Sequence, residues 1–396
     1  MQRIVQTPRK NWPETLMRQG FHFHSIDDHG EDCSGKFNGE KFMYWREDVA
    51  YAFSEKEIEA IYDATQALQT MCMDLASDLV RKGDLARLGM APNVQQLVTE
   101  SFLRGDMHLY GRFDLCVNPG GSIKMLEYNA DTPTALIESA VAQWNWKQDV
   151  HPDADQFNSL HETLIARLKE IKTRYNLETL HLGCLTESQE DVGNLEYMMD
   201  VAVQAGLRAN LMDMSEVGLE TLKDGVQFVD MHYNPIQAMF KLYPWEWIME
   251  DSFAEHIGKT TTHWLEPIWK MILSNKAILP LLWENYRDHP NLLPAYFTPD
   301  LLDGQAWVKK PFLSREGANI EVQNIDGSTW KTEGSYNTEH SIYQAYNELP
   351  AFDSPEDSGW LGKVPHMYPV VGAWVVGDEP CGIGIREDVS KVTKNT

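Results

Sequence analysis

The most informative stretch of this sequence runs Tyr110-Gly-Arg-Phe-Asp-Leu-Cys-Val-Asn-Pro-Gly-Gly-Ser-Ile-Lys-Met-Leu-Glu-Tyr-Asn129. Two runs of alternating residues flank a Pro-Gly-Gly turn signal, a pattern that predicts a β-hairpin. If Gly120-Gly121 form a two-residue loop, Asp114 lies opposite Glu127 and Arg112 lies opposite Asn129. Residues two apart on a strand point to the same side, so all four side chains share one face of the hairpin.

This face is a candidate metal site. Two carboxylates directly opposed on a sheet have Cβ atoms about 5 Å apart and repel by roughly 3 kcal/mol at an effective dielectric near 20. A cation is therefore expected between Asp114 and Glu127. Together with the amide oxygen of Asn129 they form an all-oxygen set, which suits Mg²⁺ and leaves coordination positions for nucleotide phosphates. The alternative is a solvated polar face on an edge hairpin, where Arg112 neutralises the carboxylates, and spacing alone leaves both open.

A helix start is predicted directly after the hairpin. Thr132 is positioned as an N-cap, with Pro133 in the first turn and an apolar helical run from Leu136 onward. This arrangement directs a helix N-terminus toward the hairpin. Such an end favours anions, although most capped helices bind none.

A second basic cluster follows later, in Trp307-Val-Lys-Lys-Pro-Phe-Leu-Ser-Arg-Glu-Gly-Ala-Asn319. It predicts a short strand that ends in a glycine-containing loop, which fits a flap over phosphates. The spacing G-x-x-x-x-G-K-[ST] is absent, so lysines and loop amides would hold the phosphates in another kind of fold. A surface β-turn with solvated lysines is the simpler alternative for this segment taken alone.

The remaining periodicity indicates an α/β protein. Residues 54–83 open with Ser54 and Glu57 in capping-box spacing, continue at helical intervals and end near Gly83. Between about 155 and 215 helices alternate with short apolar strands, which predicts a βαβ unit with a parallel sheet. Because no G-x-G-x-x-G follows either strand, a dinucleotide site is not expected there.

Composition restricts the partners. The 396 residues carry 34 Lys and Arg against 59 Asp and Glu, a net charge of −25, which disfavours nucleic acid and anionic membranes and suits cationic substrates such as polyamines. An acidic surface that maintains solubility is the simpler explanation. No segment has the pattern of a signal peptide or membrane span, so we expect a cytoplasmic protein. The cysteines lack metal or disulfide spacing: Cys33, Cys72, Cys116, Cys184 and Cys381.

Several blocks of this sequence resemble the glutathionylspermidine synthetase family. They are Gly111-Arg-Phe-Asp114, Leu126-Glu-Tyr-Asn-Ala-Asp-Thr-Pro-Thr134, Ser274-Asn-Lys-Ala-Ile-Leu-Pro-Leu-Leu-Trp283, Lys310-Pro-Phe-Leu-Ser-Arg-Glu-Gly-Ala-Asn319 and Gly382-Ile-Gly-Ile-Arg-Glu-Asp388. The blocks run in family order across nearly the whole chain and are most similar to the short, stand-alone acid-amine ligases. No block matches the Cys-His amidase domain of the bifunctional members, so hydrolysis of an amide product is not expected.

The resemblance implies an α/β (α+β) protein with a permuted ATP-grasp fold and a Rossmann-like α/β unit. It implies Asp114, Glu127 and Asn129 as Mg²⁺ ligands, and Arg112 as the catalytic arginine that binds phosphate and stabilises the transition state. The strand 342–345 resembles the adenine hinge. The residues implied to bind ATP are Arg112, Asp114, Lys276, Lys310, Glu316, Gly317, Gln344, Arg386 and Lys391.

The function implied by this resemblance is an ATP- and Mg²⁺-dependent ligase that joins a carboxylate, such as glutathione, to an amine, such as a polyamine, through an acyl phosphate. We expect three parts: an N-terminal part with the metal hairpin at 1–150, a Rossmann-like unit at 151–250 and a nucleotide-binding part at 251–396. The alternative is a regulatory module that binds ATP without ligating anything. Loss of a metal ligand or an ATP lysine would favour that alternative, and every such position is filled.

Overall fold

The computed structural model describes residues 1–25, 44–315, 317–336, 338–354 and 366–392. The helices in these ranges are α1 (Trp12–Arg18), α2 (Glu55–Lys82), α3 (Pro92–Arg104), α4 (Gln143–Val150), α5 (Leu160–Tyr175), α6 (Gln189–Gln204), α7 (Trp245–Ile248), α8 (Met271–Ser274) and α9 (Ile278–Asn285). The strands are β1 (Gln2–Val5), β2 (Val49–Ala52), β3 (Tyr110–Val117), β4 (Ile123–Asn129), β5 (Thr179–Cys184), β6 (Arg208–Asp213), β7 (Gly218–Leu222), β8 (Gly225–Val229), β9 (Ala238–Lys241), β10 (His263–Leu265), β11 (Ala295–Tyr296), β12 (Trp307–Pro311), β13 (Glu321–Gln323), β14 (Thr329–Lys331), β15 (Ser341–Ala345), β16 (Phe352–Asp353), β17 (His366–Val376) and β18 (Glu379–Asp388).

The long helix α2 forms where the sequence predicts it. The Ser54 side chain accepts from the backbone N–H of Glu57, and the Glu57 carboxylate accepts from that of Ser54, so two free N–H groups at the helix start are satisfied. Gly83 ends the helix in the left-handed conformation, with φ 71°. The buried stripe of α2 packs into the same core as Phe113 and Tyr128, on the apolar face of the hairpin.

The predicted βαβ unit is confirmed. It belongs to a four-stranded sheet of order β10-β9-β5-β6, in which all neighbouring strands are parallel. The helices α5 and α6 pack with this sheet into a second apolar core, which includes the buried side chains of Leu164, Leu182 and Met198. A crossover helix between two adjacent parallel strands is the standard way to bury both strands of such a pair.

The hairpin lies in an antiparallel sheet of order β16-β17-β3-β4, with β18 paired to β17. The predicted pairs are confirmed: Arg112 is opposite Asn129, and Asp114 is opposite Glu127. The predicted two-residue loop is wrong. The N–H of Asn118 donates to the carbonyl of Ser122 at 2.9 Å, so the loop has the three residues 119–121.

The predicted pairing of the four polar residues is retained because a β-bulge in the hairpin compensates for the longer loop. The pairing shifts between Asp114 and Leu115, which leaves Leu126 as an extra residue on β4 without a partner on β3. A β-bulge of this kind moves the register by one residue and bends the strand. The two offsets cancel, so the four polar residues meet as the simpler hairpin would have placed them.

The predicted flap strand is β12, which lies at the centre of a second antiparallel sheet of order β11-β15-β12-β13-β14. Its neighbour β15 contains the predicted hinge strand 342–345 and pairs Val308 with Gln344. No described helix is long and apolar enough to cross a membrane. Cys72, Cys116, Cys184 and Cys381 are buried free thiols, while Cys33 lies outside the described residues.

Candidate active site

The polar face of the hairpin is organised around Asp114, whose side chain is only 4% exposed. Its Oδ1 accepts from Nε of Arg112 at 3.0 Å, and its Oδ2 accepts from Nδ2 of Asn129 at 3.1 Å. A guanidinium nitrogen of Arg386, on β18, also donates to Oδ2. The face is therefore buried and networked, which argues against the solvated edge surface that spacing alone left open.

The Arg112 side chain is held by several neighbours besides Asp114. One terminal nitrogen donates to the carbonyl of Thr134 at 2.6 Å, and the guanidinium carbon lies 5.6 Å from the ring centre of Trp374. The side chain also crosses Gly372 so closely that a Cβ there would approach Cδ of Arg112 to 2.8 Å. Glycine at position 372 thus makes room for the arginine.

Glu127 lies at the more open end of the face, with its side chain 27% exposed. Its Oε2 is 3.2 Å from Nζ of Lys276, which also donates to the backbone carbonyl of Ser314. Burial alone would raise the pKa of this carboxyl, but the charges of Lys276, Lys310 and Arg386 lower it to about 2. Glu127 is therefore ionised and surrounded by cations at neutral pH.

The bulge in β4 has a direct role in holding Lys310. Its Nζ donates to the carbonyl of Leu126, the extra residue of the bulge, at 2.9 Å and to Oε1 of Gln344 at 2.8 Å. Burial first, and then repulsion by Lys276, lower the pKa of Lys310 to about 8 against the opposing pull of Glu127. Bulges often redirect backbone groups next to active sites, and here one links the hairpin to the second antiparallel sheet.

The remaining residues predicted to bind ATP have different surroundings. The side chain of Gln344 is buried against Lys310 and the carbonyl of Met125, so its contacts in this structure position the lysine. Lys391 pairs with Glu348 at 2.5 Å, and its Nζ lies 5.9 Å from the ring centre of Tyr368. Gly317 lies in the loop after β12, and Glu316 lies outside the described residues. Adenine binding near 342–345 stays a prediction.

Thr132 is not the N-cap that the sequence suggested. Helical structure begins at Leu136, and the N–H of Leu136 donates to the side-chain oxygen of Asn194 at 3.0 Å. The hydroxyl of Thr132 instead accepts from Arg315 at 2.5 Å, and the same arginine donates to Glu246 at 2.5 Å. Arg315 lies inside the basic segment 307–319, but its partners are distant in sequence, so no local pattern predicts these contacts.

The donor set suits a hard cation such as Mg²⁺. Asp114, Glu127 and the Oδ1 of Asn129 offer oxygen only, which is the ligand chemistry that Mg²⁺ prefers. Among the described residues no group of three or more His, Cys, Asp and Glu side chains forms a metal cluster, so the amide or a substrate phosphate would have to supply the remaining ligands. Arg112 and Arg386 contact Asp114, and Lys276 contacts Glu127, so each carboxylate has a positive partner.

The charges of the site do not balance. Four cationic side chains surround two carboxylates: Arg112, Lys276, Lys310 and Arg386 around Asp114 and Glu127. This local excess occurs in a chain whose net charge is −25. An anionic ligand is the natural partner for a positive cleft of this kind.

The fold class defined by these elements is α/β, and a solved structure shares it. The structure of a glutathione synthetase-like effector from Globodera pallida matches with a TM-score of 0.58 over 97% of both chains, at 10% sequence identity. A similarity at this identity shows the fold alone. The family model described as glutathionylspermidine synthase preATP-grasp matches residues 3–396, so the chain belongs to this family.

Named relatives agree with that assignment. The "Putative acid--amine ligase" of Haemophilus influenzae is 39% identical over 100% of this chain and 97% of its own length. The trypanothione synthetase of Crithidia fasciculata is 28% identical over 72% of this chain and 46% of its own. The glutathionylspermidine synthase of the same organism is 24% identical over 77% and 51%. The aligned region thus covers nearly all of the first relative and about half of the other two.

Proposed function

We propose that this chain is an ATP- and Mg²⁺-dependent ligase that forms an amide bond between a carboxylate and an amine through an acyl phosphate. The observation that carries the proposal is the largely buried group of four cations around Asp114 and Glu127. A triphosphate and a transferred phosphoryl group would use this excess positive charge. We infer the joining of an acid to an amine from the names of the relatives.

The nucleotide would lie between the two antiparallel sheets, in a permuted ATP-grasp arrangement. Lys310, on β12, donates to the carbonyl of Leu126 in the hairpin. Lys276, before α9, forms an ion pair with Glu127 in the hairpin. Both lysines would therefore contact phosphate oxygens. The adenine would lie along 342–345, and the loop containing Gly317 would cover the phosphates. In this arrangement the three parts of the chain are 1–150, 151–250 and 251–396.

Asp114, Glu127 and Asn129 would hold the metal. When bound, Mg²⁺ supplies positive charge that offsets the negative charge of the nucleotide phosphates. The oxygen-only donor set supports this choice. Asn129 donates to Asp114 through Nδ2, so its Oδ1 is not used in that bond.

The reaction needs positioning and charge stabilisation more than a side-chain nucleophile. The acid's carboxylate oxygen attacks the γ-phosphorus, the bond to the bridging oxygen breaks and ADP leaves. The amine nitrogen then attacks the acyl carbon, and inorganic phosphate leaves with the electrons of the broken C–O bond. Arg112, held from several sides, would stabilise the negative charge that develops on the transferred group.

The substrate pair is proposed by class. A glutathione-like acid and a polyamine follow from the names of the relatives, and the acidic composition suits a cationic amine. The experiment is a screen of acids against amines, beginning with glutathione and spermidine, with ADP release and product mass as readouts. We expect ADP, phosphate and amide in equal amounts. Excess EDTA should abolish ADP release, and added Mg²⁺ should restore it. ATP binding without ADP formation for every pair would instead indicate the non-catalytic module.

A further inference from the structure

One arginine of the candidate site lies near the end of a weakly paired strand. Arg386 is on β18, which pairs with β17 alone among the described strands. Its guanidinium donates to Asp114 on β3, which lies on the other side of β17. The strand ends two residues later, at Asp388. Strand ends open more readily than the centre of a sheet, so the position of Arg386 depends on what else holds this end of β18.

The next residue, Glu387, is held by the small sheet that β1 and β2 form. Two nitrogens of Arg3 donate to its two carboxylate oxygens at 2.8 and 2.9 Å, and the hydroxyl of Tyr51 donates to Oε2 at 2.5 Å. The side chains of Arg3 and Glu387 are only 2% and 8% exposed. Arg3 and Tyr51 are opposite each other in the strand pair, so both strands of the β1–β2 sheet contact one carboxylate.

The two neighbouring residues of β18 face opposite ways, because successive side chains on a strand alternate. Arg386 shares a face with Gly384, and strand pairing through β17 places Asp114 on that same face. Glu387 shares the other face with Ile385, which packs against the core that contains α2. The carboxylate of Glu387 is therefore not part of the polar face, but its contacts hold the backbone from which Arg386 extends.

The charges around Glu387 are balanced, unlike those on the hairpin face. Besides Arg3, a nitrogen of Arg46 lies 3.9 Å from the carboxylate, and Arg46 also pairs with Asp48 at 2.9 Å. Burial first, and then the charge of Glu387, raise the pKa of Tyr51, so its hydroxyl stays protonated and donates at neutral pH. Two arginines and two carboxylates leave no excess charge for an anionic ligand. A bidentate arginine–carboxylate pair does fix geometry.

We propose that Glu387 is a positioning residue for Arg386, and that the β1–β2 sheet acts through it. This inference rests on the proposed ligase function, in which Arg386 binds ATP. The β1–β2 sheet would not contact the nucleotide itself. It limits the movement of β18, so that the guanidinium of Arg386 stays in place beside Asp114. A displacement of about 1 Å caused far from the reacting atoms can lower a rate by about a hundredfold.

The first test removes the bidentate contact with the β1–β2 sheet. Arg3→Met should lower kcat by about ten- to a hundredfold, because β18 loses its support. Arg3→Lys should restore part of the rate, since it keeps the charge but not the planar fork. The matched control is Arg9→Met, because Arg9 also pairs with a buried carboxylate, that of Glu47, but has its other partner at Asp149 and not on β18. It should lower Tm and leave kcat unchanged.

A double-mutant cycle separates positioning from general destabilisation. In an Arg386→Ala background the guanidinium to be positioned is gone, so Arg3→Met should lower the single-turnover rate by less than about twofold. All proteins are compared at a temperature where circular dichroism shows them folded. Tyr51→Phe, which removes one hydrogen bond to Glu387, takes the place of Arg3→Met if that variant does not fold. Equal losses in both backgrounds would overturn the proposal, and so would an unchanged rate in the single variant.

A second readout does not depend on turnover. Crystal structures of the wild-type protein and Arg3→Met are compared without substrates. We expect the guanidinium of Arg386 to leave Asp114 or to lose defined density in the variant, while Arg112 keeps its contact with Asp114. An unchanged contact between Arg386 and Asp114 would overturn the proposal. If the wild-type protein forms no amide with any pair of substrates, the ligase function fails, and this comparison still decides whether the β1–β2 sheet positions Arg386.

Discussion

Two groups of buried charges in the described part of this molecule are arranged differently. In the interior, Lys270 and Glu266 form a pair in which both side chains are fully buried. The carboxylate accepts from the N–H groups of Leu109 and Tyr110 at 3.0–3.1 Å, and Nζ of Lys270 donates to the carbonyl of Tyr110 at 3.0 Å. One charge meets one opposite charge there, and backbone groups satisfy the rest.

The hairpin face has cations in excess and remains partly open. Glu127 is partly exposed, and Lys310 is held by a carbonyl and an amide rather than by a carboxylate. A balanced, saturated pair of this kind stabilises the fold, and we expect the unbalanced cluster to bind a charged ligand. Variants should separate the two: interior changes should lower stability, and hairpin changes should lower turnover.

The largest effect on stability is expected from Lys270→Met. It leaves Glu266 buried without its counter-ion, and breaking a buried pair in this way costs about 3–5 kcal/mol of unfolding free energy. Urea unfolding measures the loss. The matched control is Lys259→Met, because Lys259 forms an exposed pair with Glu255 at the same helical spacing and such pairs contribute about 0–1 kcal/mol. Similar losses in the two variants would remove the distinction between the regions.

The next largest effect is expected from Arg112→Ala, which should raise the activation free energy of the reaction. A preorganised donor aimed at developing charge contributes about 2.7–4 kcal/mol, so kcat should fall roughly a hundred- to a thousandfold. ATP affinity should change much less, because Lys276 and Lys310 remain. Arg112→Lys should restore part of the rate, since it keeps the charge but not the planar fork. Single-turnover product formation and ATP binding are measured on the same proteins, with Arg87→Ala, an exposed arginine, as the control.

The smallest effect on stability is expected from Glu127→Gln. Its contact with Lys276 is partly exposed, so the loss of unfolding free energy should stay within about 1 kcal/mol, whereas Mg²⁺-dependent turnover should disappear. Thermal unfolding and ADP release are compared with those of Glu178→Gln, which breaks an exposed pair with Arg208. A large drop in Tm with turnover intact would show that Glu127 serves the fold.

The local parts of the fold were predictable from the sequence. The capping box and terminal glycine of α2, the βαβ unit and the pairing of Asp114 with Glu127 all follow from short-range patterns. The hairpin was predicted correctly only because the longer loop and the bulge at Leu126 cancel. Neither deviation has a strong local signal, because Pro-Gly-Gly is compatible with several turn lengths.

The geometry of the candidate site was predictable where residues share one strand pair and not where distant elements meet. Arg112, Asp114, Glu127 and Asn129 come together through the register alone. The contact of Lys310 with Leu126 depends on packing between two sheets, and the position of Arg315 depends on side chains far away in sequence.

The most direct test of the proposed acyl-phosphate reaction follows the carboxylate oxygen atoms of the acid. The acid is labelled with ¹⁸O in its reacting carboxylate, and wild-type protein, ATP, Mg²⁺ and the amine are allowed to complete the reaction. Attack of the carboxylate on the γ-phosphorus predicts that one labelled oxygen appears in inorganic phosphate for each amide formed, with ADP as the nucleotide product. Label in AMP would show an adenylate instead. ADP formation with unlabelled phosphate would contradict the acyl-phosphate ligase.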